Sequence, residues 1–103
     1  MNKMRTELQD KAKRDTFVES RLDMIGDLWL ASQTMGDEYC MSLRKALKQE
    51  YLKQIDDGLS KPNSWIDGDS VSFEHTLEGI EGYLSEYAIG YEDGYKRGAS
   101  PEN

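Results

Sequence analysis

Residues 73–98, FEHTLEGIEGYLSEYAIGYEDGYKRG, decide the predicted fold of this chain. Their large apolar side chains recur at steps of three and four residues, which is the period of one face of an α-helix. The series is Phe73, Leu77, Ile80, Leu84, Tyr87 and Tyr91. We therefore predict a helix, helix 3, over about 72–97. In the competing interpretation the glycines break it, because each glycine inside a helix costs roughly 1 kcal/mol relative to alanine.

Three tandem Tyr-x-x-Gly units end this segment, from Tyr87 to Gly98. Residues four apart are neighbours on a helix, so the units predict a ridge of tyrosines beside a strip of bare backbone. This Tyr-Gly ridge consists of Tyr83, Tyr87, Gly90, Tyr91, Gly94 and Tyr95. A second helix following the strip would approach closely and cross obliquely, near the roughly −50° packing class. That helix belongs to the same chain, to a second copy, which would make a homodimer, or to a target protein.

Four glutamates of the same segment predict an anionic strip. Glu74, Glu78, Glu81 and Glu92 fall within about 60° of one another on a helical wheel, and we expect them opposite the apolar face. The strip is either a solvated helix face or a surface that imitates nucleic-acid phosphates and occupies a basic cleft of another protein.

Residues 58–72, GLSKPNSWIDGDSVS, predict a long loop before helix 3. Trp65 and Ile66 form a bulky pair that either plugs the end of the helical core or anchors a partner. Asp67 and Asp69 occupy the first and third positions of a calcium-type loop, but Val71 stands where the motif needs an oxygen ligand. We interpret the two aspartates as turn and cap residues. The candidate protein-binding surface consists of Trp65, Ile66, Asp67, Asp69, Glu74, Glu78, Glu81 and Glu92.

Two further helices are predicted before the loop. Helix 1, over about 16–33, follows from the apolar line of Val18, Leu22, Ile25 and Trp29, with Phe17, Met24 and Leu28 beside it. Its start is open, because Thr6 with Gln9 and Thr16 with Glu19 both match a capping box, so residues 1–15 either extend helix 1 or fray. Helix 2, over about 37–57, starts after Gly36 and carries Tyr39, Cys40, Leu43, Leu47, Tyr51 and Ile55 at helical spacing.

Length and composition predict one thin-cored domain. A chain of 103 residues is the size of a single domain, and only 37% of its residues are hydrophobic while 32% are charged. We expect an all-α, three-helix bundle-like domain over residues 1–103, with a long loop before the third helix and a flexible tail at 99–103.

The charge distribution indicates the class of partner. Residues 1–53 hold ten Lys and Arg against nine Asp and Glu, whereas residues 54–103 hold three against eleven. Nucleic acid and anionic membranes need a basic footprint, so neither is expected as a direct partner. A protein with a basic surface fits better.

Catalytic and metal-binding patterns are missing from the sequence. Cys40 and His75 are the only thiol and the only imidazole, and neither a zinc spacing nor a phosphate-binding glycine loop is present. With one cysteine and no long apolar run, the expected location is the cytosol. We therefore expect a non-enzymatic binding protein without cofactor or metal that inhibits or regulates a larger protein, of the kind that phages and mobile elements encode. The alternative is a structural homo-oligomer assembled through the Tyr-Gly ridge.

Overall fold

The computed structural model describes residues 3–98, and these residues form helices without any strand. The helices are α1 Lys3–Gln9, α2 Lys11–Leu22, α3 Gly26–Thr34, α4 Asp37–Leu59 and α5 Ser70–Gly98, with a 3₁₀ helix, Trp65–Asp67, before α5. The all-α prediction is confirmed, but the described residues contain five α-helices where three were predicted. The predicted flexible tail at 99–103 lies outside the described residues.

Contacts along α4 establish the direction of its neighbours. Tyr39 at the start of α4 packs edge-to-face on Tyr95 near the end of α5, whereas Tyr51 hydrogen-bonds Glu81 earlier in α5. The two long helices are therefore antiparallel.

Helices α2 and α3 also pack on α4, and they follow each other in the direction opposite to it. Arg44 of α4 pairs with Glu19 of α2 at 2.6 Å, and Cys40, one turn earlier in α4, lies 3.9 Å from the Leu28 carbonyl oxygen of α3. Both α2 and α3 therefore run parallel to α5.

Predicted helix 1, at about 16–33, is divided between α2 and α3, and its possible extension into residues 1–15 is a separate helix, α1. The carboxylate of Asp10 accepts a hydrogen bond from the Lys13 amide at 3.1 Å and caps α2, which separates it from α1. Thr6 and Thr16 lie inside α1 and α2, so neither predicted capping box starts a helix. A second break falls before Gly26, where Ile25 adopts an extended backbone.

The second break moves the buried face of the chain. Val18, Leu22 and Ile25 are buried as the apolar period predicts. After the break Leu28 is buried instead, and Trp29, which we expected on the buried line, is 64% exposed. The prediction for Trp29 was wrong because the extended residue changes the rotation of α3 about its axis.

Helix α4 follows its sequence pattern closely. Its buried line is Tyr39, Leu43, Leu47, Tyr51 and Ile55, all predicted from helical spacing. Gly36 turns the chain into α4 with φ +90°, a conformation that L side chains rarely adopt.

The predicted loop plugs one end of the molecule. Ile66 is buried, and Trp65 stacks on Phe73 with ring centroids 5.5 Å apart. Trp65 and Ile66 both pack closely on Gly58. A Cβ atom at Gly58 would lie 2.7 Å from Nε1 of Trp65 and 2.8 Å from Cδ1 of Ile66. The loop can therefore reach the core only because residue 58 has no side chain.

Arg5 of α1 holds the same loop from outside. Its guanidinium donates to both carboxylate oxygens of Asp67, at 2.7 and 2.6 Å, and to the carbonyl oxygens of Leu59 and Lys61, at 3.0 and 2.7 Å. The last carbonyls of a helix have no partner within the helix, so Arg5 also caps the end of α4. The hydrogen bond from Arg5 lowers the pKa of Asp67.

The molecule is long and narrow, with extents of 55 × 22 × 21 Å. Its core is a single cluster that runs the length of the helices, from Leu8 through Tyr51 to Ala88. None of the helices in residues 3–98 is both long and apolar enough to cross a membrane.

The close approach at Gly58 can be tested against a glycine that meets nothing. We expect Gly58→Ala to lower the free energy of unfolding by about 1–3 kcal/mol, because Trp65 and Ile66 must move. Gly82→Ala on α5 should instead raise it by about 0.5–1 kcal/mol, since a Cβ atom there has no neighbour within 4 Å. Urea denaturation of the two variants measures both values, and a stable Gly58→Ala protein would contradict the tight loop.

The Arg5–Asp67 pair predicts a pH dependence of stability. The carboxyl of Asp67 has a lowered pKa in the folded protein, so its stabilisation is present above the usual carboxyl pKa of about 4 and is lost as the pH falls below it. The thermal midpoint of Asp67→Asn should therefore fall less steeply than that of the unmodified protein between about pH 5 and pH 2.5. Glu78→Gln at an exposed position is the control, and equal slopes for Asp67→Asn and the unmodified protein would refute the assignment.

Candidate protein-binding surface

The predicted anionic strip is divided between structural and exposed residues. Glu81 accepts hydrogen bonds from Nε of Arg21 at 2.6 Å and from the Tyr51 hydroxyl at 2.8 Å, and its side chain is only 16% exposed. Glu74 accepts a second bond from Arg21 at 2.8 Å. Two of the four glutamates therefore hold α2, α4 and α5 together, whereas Glu78 is exposed.

The strip lies beside the buried face of α5 and not opposite it. At 100° per residue the glutamates are roughly 95° from the mean direction of Leu77 and its apolar neighbours, and α2 covers that flank. The expectation that the strip lies opposite the apolar face was therefore wrong, because its flank meets α2. Glu81 is largely covered there, whereas the side chain of Glu74 remains 47% exposed.

Burial and hydrogen bonding shift the pKa values of Tyr51 and Arg21 at this junction. Burial, followed by the hydrogen bond to Glu81, raises the pKa of Tyr51. The hydrogen bond to Glu81 raises the pKa of Arg21. Both groups therefore keep their ordinary charge state at neutral pH, and Arg21 stays a cation between two carboxylates.

Loop residues from the predicted surface serve the fold. Ile66 is buried and Trp65 is partly buried against Phe73, which agrees with the plug alternative. Asp67 pairs with Arg5, and Asp69 caps α5 by accepting the Ser72 amide at 2.7 Å. Asp67 also accepts the Ser64 amide at 3.1 Å, so each aspartate makes a turn or cap hydrogen bond.

The tyrosines of the Tyr-Gly ridge pack partly within the chain. Tyr91 and Tyr95 pack edge-to-face on Tyr39, and the Tyr91 hydroxyl hydrogen-bonds that of Ser42. Tyr83 and Tyr87 pack on each other, with ring centroids 6.3 Å apart.

The glycines of the ridge behave differently from its tyrosines. A Cβ atom at Gly90 or Gly94 would find nothing within 4 Å. The close oblique helix contact that we predicted across the glycines is therefore not made within the described part of the chain.

Cys40 and His75 lie at opposite ends of the molecule. Cys40 follows Tyr39, which packs on Tyr95, and His75 lies two residues after Phe73, which packs on Trp65. The intervening stretch of α5 is about 30 Å long at 1.5 Å per residue, so the two side chains form no pair.

The surface with the clearest binding character was not predicted. It is a groove between α3 and α5, which we call the α3–α5 groove, and its aliphatic walls are Leu30, 52% exposed, and Ile89, 63% exposed. Buried residues of the core form its floor, and polar residues complete it. The lining is Asp27, Leu30, Ala31, Thr34, Tyr39, Leu43, Ala88, Ile89 and Glu92.

The sequence contains a signal for this groove that helical periodicity obscures. Residues 28–31, Leu-Trp-Leu-Ala, are four consecutive apolar residues. They point to different sides of a helix, so a helix with one buried face must leave some of them exposed. In α3, Leu28 and Ala31 turn inward while Trp29 and Leu30 turn outward. Which pair is buried depends on the break at Ile25, which we did not predict.

The electrostatic environment of the groove is acidic. Among the residues that the structure describes, Asp27 and Glu92 are the charged ones that line it, and no Lys or Arg does. Glu92 has a weak contact with Lys96 at 4.0 Å on the same helix. Burial raises the pKa of Tyr39 at the floor, and the negative charge of Glu92 raises it further.

The groove is also too small to be a typical small-molecule site. Its volume is about 70 Å³, whereas ligand pockets usually hold roughly 300–1,000 Å³. It can accept part of one side chain of a larger partner. No cluster of three or more metal-binding side chains was found in the described residues.

Comparison with known proteins adds no relative. No family model matches the chain, and neither the curated proteins nor the solved structures contain a significant match. The groove must therefore be interpreted from its own geometry and charge.

The junction at Glu81 can be tested against its exposed neighbour on the same helix. We expect Glu81→Gln to lower the free energy of unfolding by about 2 kcal/mol, because Arg21 and Tyr51 lose their shared charged acceptor. Glu78→Gln should change it by less than about 0.5 kcal/mol. Urea denaturation at pH 7 measures both free energies of unfolding. Equal effects would mean that Glu81 contributes no more to stability than the exposed Glu78.

Proposed function

We propose that this chain is a non-enzymatic binding protein that inhibits or regulates a larger protein by placing the α3–α5 groove on a basic surface of it. One observation carries the proposal: two aliphatic walls and an acidic rim occur together at one end of the molecule. In this proposal the helices form a bundle-like scaffold, and its function is to present that end.

Apolar walls and an acidic rim contribute differently to association. Full burial of a Leu or Ile side chain contributes roughly 1.5–3 kcal/mol, so Leu30 and Ile89 can supply affinity. The charges of Asp27 and Glu92 act on the approach of a basic partner and make the association rate depend on salt. Together they favour a protein partner over nucleic acid, whose phosphates the rim would repel.

The location of the groove also supports a contact surface. It lies at the end of the molecule away from the Trp65 plug, so a partner can reach it without disturbing the Arg5 contacts or the Arg21 junction. Trp29 is exposed on another side of α3, about 100° from Leu30 on the helical wheel, and does not line the groove.

A homo-oligomer assembled through the Tyr-Gly ridge is the second candidate. The observation that favours it is the open space around Gly90 and Gly94, which leaves their backbone accessible to another helix. In that case Gly90→Ala with Gly94→Ala would weaken self-association while stabilising the monomer. Gel filtration with light scattering, over a wide concentration range, distinguishes this candidate from a monomeric binding protein.

Affinity capture from a lysate of the source cells tests the leading proposal. We expect partner proteins to be retained by the unmodified chain, lost with Leu30→Asp combined with Ile89→Asp, and retained less at high salt. Met41→Asp is the matched control, because Met41 is 72% exposed and lines a different surface, with Glu19, Arg44 and Lys48.

Circular dichroism should first show that all three proteins are equally helical. Capture that is equally strong with the groove variant would exclude this surface. Loss with the Met41 variant as well would show that binding is a general response to added charge.

A further inference from the structure

The two walls of the α3–α5 groove repeat the same pair of residue types. Asp27 and Leu30 are three residues apart on α3, and Ile89 and Glu92 are three residues apart on α5, so each acid lies about one turn from an exposed aliphatic side chain. Because α3 and α5 run parallel, Asp27 precedes its aliphatic partner and Glu92 follows its own. The acids therefore mark opposite ends of the groove.

The floor between the walls mixes small and large side chains. Ala31 of α3 and Ala88 of α5 lie there with Tyr39 and Leu43 of α4, and all four belong to the core cluster. The opening of about 70 Å³ takes part of one side chain, so an occupying helix lies on the rim of the two walls and inserts a side chain between them. From Asp27 to Thr34 the α3 wall is about 10 Å long, which is two turns of an occupying helix.

An extended peptide fits this surface less well than a helix. Binding as an added strand needs a sheet edge with free backbone groups, and both walls are α-helices whose backbone groups are bonded within the helix. Helix-in-groove binding instead uses side chains at helical spacing, which matches two aliphatic walls and a narrow floor.

Charge decides between a foreign helix and a second copy of this chain. In a twofold contact through the groove, the acidic rim of one copy would face the same acidic rim of the other. Like charges that face each other across an interface oppose association. A helix with Lys or Arg beside its apolar stripe has the complementary pattern, and at Glu92 these residues compete with the weak contact of Lys96.

We propose that the α3–α5 groove binds an amphipathic helix of the partner protein, with one aliphatic side chain between Leu30 and Ile89 and a Lys or Arg about one turn to either side. This inference rests on the proposed function and specifies the part of the partner that is bound. The partner helix contacts the groove through a short row of side chains. Its basic residues pair with Asp27 and Glu92 and so set its position along the groove.

Selection from a displayed library of random 16-residue linear peptides tests the inference. The complete chain is the bait, and the variant with Leu30→Asp and Ile89→Asp removes peptides that bind elsewhere. We expect the selected sequences to carry apolar residues three and four apart, flanked by Lys or Arg. A double variant, Asp27→Lys with Glu92→Lys, should select Asp and Glu at the same flanking positions.

One selected peptide then supplies the quantitative test. Replacing its flanking Lys and Arg by Glu should weaken binding to the unmodified chain roughly tenfold, and the double Lys variant should reverse that preference. Amide NMR shifts should concentrate in residues 27–34 and 88–92. The peptide should also become helical when it binds.

Each other outcome overturns the inference in a recognisable way. Selected peptides without helical spacing would exclude a helical occupant. Shifts spread around Glu78 and Glu86 would show general attraction to acidic surface. A dimer that buries the groove in the unliganded chain would identify a second copy as the occupant. If groove-dependent capture from the lysate succeeds while no helical peptide is selected, the proposed function stands and the helical occupant is refuted.

Discussion

The hydrogen-bonded ion pair between Arg21 and Glu81 is the constraint on which this narrow structure depends. A molecule about 22 Å wide has room for one line of core side chains per helix. It therefore has no second layer of core contacts that could hold a helix in its correct position. Arg21 of α2 meets Glu81 of α5 and, through it, the Tyr51 hydroxyl of α4. A partly buried charge with few available partners disfavours other registers of the three helices, since removing a partner leaves a charge unsatisfied.

After the Arg21 junction the chain passes from α2, which is ion-paired to α4, to α3, which is short and partly exposed. Helix α2 is held to α4 by ion pairs such as Arg44 with Glu19, whereas α3 is nine residues long and apolar on both its inner and outer faces. A short helix with two apolar faces leaves Trp29 and Leu30 uncovered when it packs on a two-helix surface. The same end of α5 contributes Ile89 and Glu92, so the exposed apolar area acquires its acidic rim there.

Sequence patterns predicted most of the long helices and little of the candidate site. The buried line of α4, from Tyr39 to Ile55, follows directly from helical spacing, because this helix has no interruption. The break at Ile25 has no strong stop signal in the sequence. When one extended residue is missed, the predicted buried face of the helix that follows is rotated about its axis. Prediction therefore placed Trp29 in the core and missed the groove between Leu30 and Ile89.

Spacing, composition and turn residues by themselves determined that the chain is all-helical and acidic in its second half, that Gly36 turns into α4, and that a loop precedes α5. These are local properties, set by backbone preference and by the period of apolar side chains. Only the tertiary structure decided that Glu81 is a structural partner of Arg21 and that Leu30 faces outward beside Ile89. Those outcomes depend on which helix packs on which flank, and helical periodicity specifies a buried face without specifying the neighbour that covers it.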